Sequence, residues 1–308
     1  MKHRNKVLQK SFSLAMALLM AVFVPLQVAA AEVDHVNVAM GNVVIVDNTV
    51  SHFVTPDDYR SNDTFTGSLT IIDDVTAGGF SGTLAPFETS ITVTTSQNIQ
   101  LTFDNVSIRE DIPVSITASE GATVTIELDG ENTITGGDGN GNAGAAFQQN
   151  GGSVIIQDES GEAGTLEAES KNLGSGILSL GENAELTINA DVTATGAAGF
   201  GGIEAEGSVN IEGGTVTASG GASGSVDVSD GNGGIQTVER AGSGIDAAQL
   251  NISGGTVTAS GGSGGENAGA GIVADTQREV NISGGDVTAT GGSNVSGGGG
   301  VFINLHTL

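Results

Sequence analysis

The stretches VNIEGGTVTASGG (209–221), LNISGGTVTASGG (250–262) and VNISGGDVTATGG (280–292) are copies of one unit, and their reading decides the fold. LTINADVTATG (186–196) is a degenerate copy. VTIELDGENTITGG (124–137), VIIQDESGEAGTLEA (154–168) and LTFDNVSI (101–108) are fainter ones. A second signature falls between copies: GSGI (174–177), GGI (201–203), GSGI (242–245) and GAGI (269–272). Within a unit the apolar residues alternate with polar ones, which is the period of a strand whose side chains point to opposite faces. β-Branched residues dominate, and glycine at this density is costly inside a helix. Successive copies are not joined by two-residue hairpin turns.

Aligned on the second apolar residue, the copies place Phe103, Ile126, Ile156, Ile188, Ile211, Ile252 and Ile282 in one column. The spacings between these residues run from 23 to 41. Each unit supplies three short strands. The first points Val209 and Ile211 inward and Asn210 outward. A glycine pair such as Gly213-Gly214 makes the corner, where positive φ is needed. The second strand points Val216, Val257 and Val287 inward, followed by Ala218, Ala259 and Ala289. The third points Ile177, Ile203, Ile245 and Ile272 inward. Units of this length suit an all-β chain wound as a right-handed parallel β-helix (a β-solenoid) with three short strands per turn. Residues 101–308 form its repeats. Residues 32–100 are β-rich without the clean repeat, and predict an irregular N-terminal cap and first turns. Val301-Phe302-Ile303 looks like one more third strand, followed by no polar cap. The C-terminal end is therefore read as open to further domains or another chain.

Residues 1–31 predict a secretory signal peptide. Lys2, Arg4, Lys6 and Lys10 precede an unbroken apolar run from Leu14 to Val24, and Ala29-Ala30-Ala31 offers a small-residue cleavage site. A run of 11 residues is too short for a membrane span, which needs about 20. The expectation is an extracellular, secreted or surface-associated protein with no transmembrane segment once the signal is removed.

Beyond residue 31 the chain carries five cations against 36 carboxylates, a formal charge of −31. Such a surface repels phosphate backbones, so nucleic acid is excluded as a partner. With no cysteine, neither disulfides nor thiolate metal sites form.

The NISGGTVTASGG…GAGI pattern, over about residues 90–303, resembles the Gly/Thr-rich repeats of Gram-positive extracellular adhesin-like proteins. It is similar, too, to a clostridial group of secreted calcium-binding, polysaccharide-binding β-helices. The resemblance implies a pectate-lyase-like right-handed parallel β-helix with an extracellular, carbohydrate-associated role. It implies a glycan or cell-surface ligand.

No catalytic residue is assigned. The histidines beyond residue 31 are His35, His52 and His306, and the arginines and lysine of the repeats (Arg109, Lys171, Arg240, Arg278) fall in different units. The pairs Asp57-Asp58 and Asp73-Asp74 lie outside the regular repeats, and neighbours on a strand face opposite ways. A polysaccharide lyase or glycoside hydrolase is thus the weaker alternative to a non-catalytic binding protein. A calcium-dependent polysaccharide-binding module is the other. Its candidate ligands are Glu204, Glu206 and Asp246: Asp246 is expected to stack on Glu204, and Asp275 to fall in the Glu206 column. Stacked carboxylates repel unless a hard cation bridges them. The competing reading is a solvated acidic face. DGNGNAG (138–144) begins like a calcium loop but lacks its glycine and its final glutamate, and reads as a corner.

Three further features face outward. Thr193, Thr217, Thr258 and Thr288, flanked by Thr195, Ser219, Ser260 and Thr290, make a hydroxyl array suited to crystalline polysaccharide or ice. Thr is equally an ordinary strand residue, and variable unit length argues against a flat lattice. Asn210, Asn251 and Asn281 make an amide ladder. The insertion at about 222–241 reads as a projecting surface loop. With no tryptophan and few aromatics in the repeats, glycan contact falls to hydroxyl, amide and carboxylate groups.

Overall fold

The structure is a computed structural model that describes residues 33–38, 42–55, 58–72, 90–110, 113–137, 144–158, 164–229, 235–264, 268–273 and 278–293. Residues 1–31 and 138–143, Asp73-Asp74, Asp275, His306 and Val301–Ile303 lie outside the described residues. So do Asp57 and the side chain of Asp58.

The regular elements of the described residues are β-strands, and most pair in parallel. They fall into three series that recur in chain order. The first series runs His35–Asn37, Ser68–Ile72, Ile99–Asp104, Thr123–Asp129, Ser153–Gln157 and Glu185–Asn189. It continues through the C-terminal halves of Ile203–Gly213 and Ile245–Ile252 to Glu279–Ile282. The second series is Ser107–Glu110, Glu131–Gly136, Thr165–Ser170, Asp191–Thr195, Thr215–Ser219, Thr256–Ser260 and Asp286–Thr290. The third starts at Val43–Val46 and passes through Ile91–Thr95, Val114–Ala118, Phe147–Asn150 and Ile177–Leu180. Its last members are the N-terminal halves of Ile203–Gly213 and Ile245–Ile252, and the bridge from Ile245 to Ile272. Each strand thus pairs with its counterpart one repeat later.

Register puts like on like. Val124, Val154, Leu186, Val209 and Leu250 form one inward column, and Ile126, Ile156, Ile188, Ile211 and Ile252 the next. All ten are at most 1% exposed. Each such side chain taken fully out of water contributes about 1.5–3 kcal/mol, so the columns are the main source of stability. The predicted inward residues of the third strand, Ile177, Ile203, Ile245 and Ile272, are neighbours in one buried column. At the Gly-Gly corners it is the second glycine that takes positive φ: 71° at Gly214, 76° at Gly255 and 79° at Gly285.

One alignment changes. Ile126 pairs with Leu101, and Phe103 pairs with Leu128. Leu101 and Phe103 both point inward, and a period of two leaves a shift of two residues undetermined by polarity alone.

Two inward positions are polar. Gln149 and Ser179 are adjacent on the third series and fully buried. The Gln149 amide donates to the carbonyls of Gly152 at 3.0 Å and Glu185 at 3.1 Å, and its oxygen accepts from Ser179 Oγ at 3.2 Å. Buried polar groups persist where their hydrogen bonds are made, as here.

Parallel pairing begins before the clean sequence repeat, with His35–Asn37 against Ser68–Ile72 and Val43–Val46 against Ile91–Thr95. The irregular part of this region is antiparallel: Thr49–Thr55 pairs with Val43–Val46 and with Asp58–Thr64. The turn between the first two strands is tied down by Asp47, at φ 51°. Its carboxylate accepts from Ser96 N at 2.8 Å, Ser96 Oγ at 3.1 Å and Thr95 Oγ1 at 3.2 Å. These bonds, the Ser96 backbone N–H first, hold the Asp47 carboxyl below the usual carboxylate range. The stabilisation is present above the unfolded-state value of about 3.9 and is lost as pH falls through the lower folded value. Thermal melts from pH 6 down to pH 2 are expected to show a smaller acid-side loss in Asp47→Asn than in the parent. Identical acid-side slopes would remove this role.

Candidate functional site

The third strand of one repeat runs into the first strand of the next, and this junction carries both the predicted acidic residues and an open groove. Ile203–Gly213 crosses it as a single strand, as does Ile245–Ile252. Glu204 lies directly opposite Asp246, as the repeat spacing predicts. Between Ala205 and Ser208 the register slips, because Glu206 and Gly207 oppose Ala248 alone. Such a bulge bends the strand and re-aims its side chains. Glu206 consequently turns to the preceding repeat, where its carboxylate accepts from Gly181 N at 2.8 Å.

Each of the two stacked carboxylates has its own cation. Glu204 Oε1 accepts from Gly201 N at 2.9 Å and lies 3.9 Å from Arg240 Nη2, while Oε2 accepts from Ser175 Oγ at 2.9 Å. Arg278 Nε donates to Asp246 Oδ1 at 2.5 Å. Arg240 is anchored by a second bond, from Nε to Gly199 O at 3.0 Å. Of the three predicted calcium ligands, Glu204 and Asp246 are thus side by side, while Glu206 reaches to Gly181 in the preceding repeat. Among the described residues no three His, Cys, Asp or Glu side chains gather as a metal-holding group. Arg240 and Arg278 stand beside the stacked carboxylates for which the spacing suggested calcium.

These ion pairs are partly exposed, so each is worth about 0.5–1 kcal/mol. The double variant Arg240→Ala/Arg278→Ala is expected to lose about 1 kcal/mol. Millimolar calcium should raise its melting temperature more than the parent's, since the stacked carboxylates then lack their own cations. Equal calcium responses in the two proteins would count against this account.

The groove lies on the same junction. It is open, about 680 Å³ in volume, and spans four repeats, with Glu185, Ser208, Gln249 and Glu279 successive partners across them. Glu182, Asn183 and Glu185 come from one repeat, Ser208 from the next, and Gln249, Arg278 and Glu279 from beyond. The outward amide ladder reaches into it: Asn251 Nδ2 donates to Asn210 Oδ1 at 2.9 Å, and Asn210 Nδ2 to Glu185 Oε1 at 2.7 Å. The predicted ladder pairs Asn210, Asn251 and Asn281 in register. Carboxylates accept, guanidinium donates and amides do both, so the groove presents hydrogen-bond donors and acceptors together. Composition pointed to these group types without locating them. Arg278 looks isolated in sequence because its partner Asp246 stands one repeat earlier.

The insertion is not a loop throughout. Gly224–Ser229 and Ile235–Arg240 form an antiparallel hairpin. The signal was present in Asp230-Gly231-Asn232-Gly233, flanked by alternating apolar residues.

Among the histidines, His35 bonds to Asp34 at 2.6 Å on the surface. His52 is buried on the antiparallel segment with Nε2 3.4 Å from Asp63 Oδ2, a distance of an ion pair without hydrogen-bond alignment. No helix of the described residues is long and apolar enough to cross a membrane. Comparison with protein-family models, curated proteins and solved structures finds no match to this chain.

Proposed function

We propose that the chain is a right-handed parallel β-helix acting outside the cell as an adhesin-like, non-catalytic binding protein for carbohydrate. The β-helix reading is supported by three series of parallel strands that return in the same order, one repeat apart. Its hand follows from the rule for parallel crossovers. Export is supported by the basic, then apolar, then small-residue pattern of residues 1–31. The single observation that carries the binding reading is the groove at the third-to-first junction. It offers carboxylate, amide and guanidinium groups at fixed spacing on a backbone whose inward columns are dry. Sugar hydroxyls both donate and accept, and this mixed lining meets both needs without an aromatic platform.

The test is a glycan array probed with the purified protein in calcium and in chelator. Retention of a defined set of glycans is expected. Gln249→Ala and Glu279→Ala should each weaken it, at about 1 kcal/mol or fivefold per lost hydrogen bond. Retention only in calcium would make this a cation-bridged site. No retained glycan in either arm would end the proposal.

A further inference from the structure

The second series of strands carries a different chemistry from the groove. From Asp191–Thr195 through Thr215–Ser219 and Thr256–Ser260 to Asp286–Thr290, the strands pair residue for residue with no register shift. Outward columns are therefore unbroken: Thr193, Thr217, Thr258 and Thr288 in one, Thr195, Ser219, Ser260 and Thr290 in the next. Beneath them, valine and alanine recur at the same inward positions, so every row stands at the same height. The variation in repeat length, which argued against a flat lattice, is taken up at corners. The longest insertion leaves as the hairpin Gly224–Ser229/Ile235–Arg240, and the strands on either side of it remain in register.

Two further observations separate this face from an ordinary solvated one. The first is hydrogen bonding. Outward groups of the first series bond to one another, as in Asn251 to Asn210, Asn210 to Glu185 and Gln157 to Glu127. None of the eight hydroxyls of the second series has a hydrogen-bond partner within the described protein, so all eight are left to solvent. The second is charge. In a chain with 36 carboxylates these two columns carry none over four repeats, whereas the same columns one repeat earlier hold Glu167 and Glu169. The carboxylates of this face, Asp191 and Asp286, stand beside the array in the third outward column, with Thr215 and Thr256 between them.

The spacing is set by the backbone. Rows stand about 4.8 Å apart, and alternate residues along a strand about 6.6 Å apart. In a tetrahedral water network with an O···O distance of about 2.75 Å, second neighbours are about 4.5 Å apart and the stacking repeat is about 7.3 Å. Fitted on the middle of four rows, the outermost hydroxyls are about 0.5 Å out of step, the width over which hydrogen-bond lengths spread. The column separation falls about 0.7 Å short of the stacking repeat, which side-chain rotation has to take up. Branching at Cβ restricts the threonine rotamers, so little side-chain freedom is lost on ordering. An uncharged array is also required, because a tetrahedral network of neutral molecules has no place for an ion.

We propose that this face adsorbs to ice, the eight hydroxyls of Thr193, Thr217, Thr258, Thr288, Thr195, Ser219, Ser260 and Thr290 continuing the outermost water layer of the crystal. Binding is multivalent, and one bulky or charged side chain in the middle of the array lifts its neighbours off the lattice.

The test is partition of the purified protein into slowly growing ice, with crystal habit recorded in the same samples. Thr258→Tyr and Thr217→Lys are compared with the parent after circular dichroism confirms unchanged strand content. The parent is expected to concentrate in the ice and to facet the crystals. Each variant should lower the ice-bound fraction by about tenfold or more. Exclusion of the parent from ice, or ice binding that survives both substitutions, would overturn the proposal. So would the finding that the two variants abolish co-sedimentation with crystalline cellulose or chitin while the parent leaves ice untouched. That result would assign the face to a crystalline glycan.

Discussion

Replacing Gly244 by alanine is expected to destabilise the protein by about 3 kcal/mol or more. A Cβ built on Gly244 would stand 2.5 Å from Gly271 O, 2.7 Å from Ser260 N and 2.9 Å from Ala218 O. All three are backbone atoms, and they belong to paired strands and corners that cannot step aside singly. The same approach recurs wherever the GxGI signature occurs: Gly176 against Thr195 N at 2.5 Å, Gly202 against Ser219 N at 2.6 Å, Gly271 against Thr290 N at 2.4 Å. The signature is thus a steric requirement, placed where the third strand begins against the end of a second strand. Gly67 is the contrasting case: φ is 83° but no atom lies within 4 Å of its built Cβ. Gly67→Ala should cost only the left-handed backbone penalty, about 1–2 kcal/mol. Denaturant midpoints for both variants check the prediction, and equal losses would refute the steric account.

Asn132→Ala is expected to cost about 3 kcal/mol. Asn132 is 1% exposed and joins three repeats. Its Oδ1 accepts from Val106 N at 2.9 Å in the repeat before, and its Nδ2 donates to Thr165 O at 3.2 Å in the repeat after and to Asp129 O at 3.1 Å in its own. Alanine leaves a buried N–H and two carbonyls without this partner, and the desolvation of such groups is then uncompensated. Asn132→Asp keeps the acceptor for Val106 but removes both donated bonds. It should fall between alanine and the parent in acid, where the carboxyl is protonated and can donate once, and be less stable than alanine at neutral pH, where a buried carboxylate would face two carbonyl oxygens. Amide hydrogen exchange gives the local readout. Val106 N–H should exchange far faster in Asn132→Ala, and unchanged protection there would rule the bridge out.

Strand placement was legible because polarity alternates with period two and because the copies repeat it. Val209, Ile211, Val216 and Ile203 fall inward as their sequence pattern requires, and the hydroxyl and amide columns face out. The register of Leu101 was not legible, since Phe103 two residues on is equally apolar. Gln149 and Ser179 escaped notice for the opposite reason. A polar side chain at an inward position reads as a surface residue until its partners, Glu185 O and Gly152 O, are known. The candidate site was half visible. The 42-residue offset between Glu204 and Asp246 matched them correctly, but nothing in a linear reading brings Arg240 to Glu204. That arginine arrives through the hairpin, which looked like loop. The contact of Glu206 with Gly181 was not legible, because a bulge adds a residue without changing the alternation on either side.

The hairpin itself has a practical corollary. It departs and returns at a point where Ser219 still faces Ser260, so foreign sequence spliced between its two strands would be carried as cargo on a stiff support. The junction is therefore a ready-made port for displaying peptides.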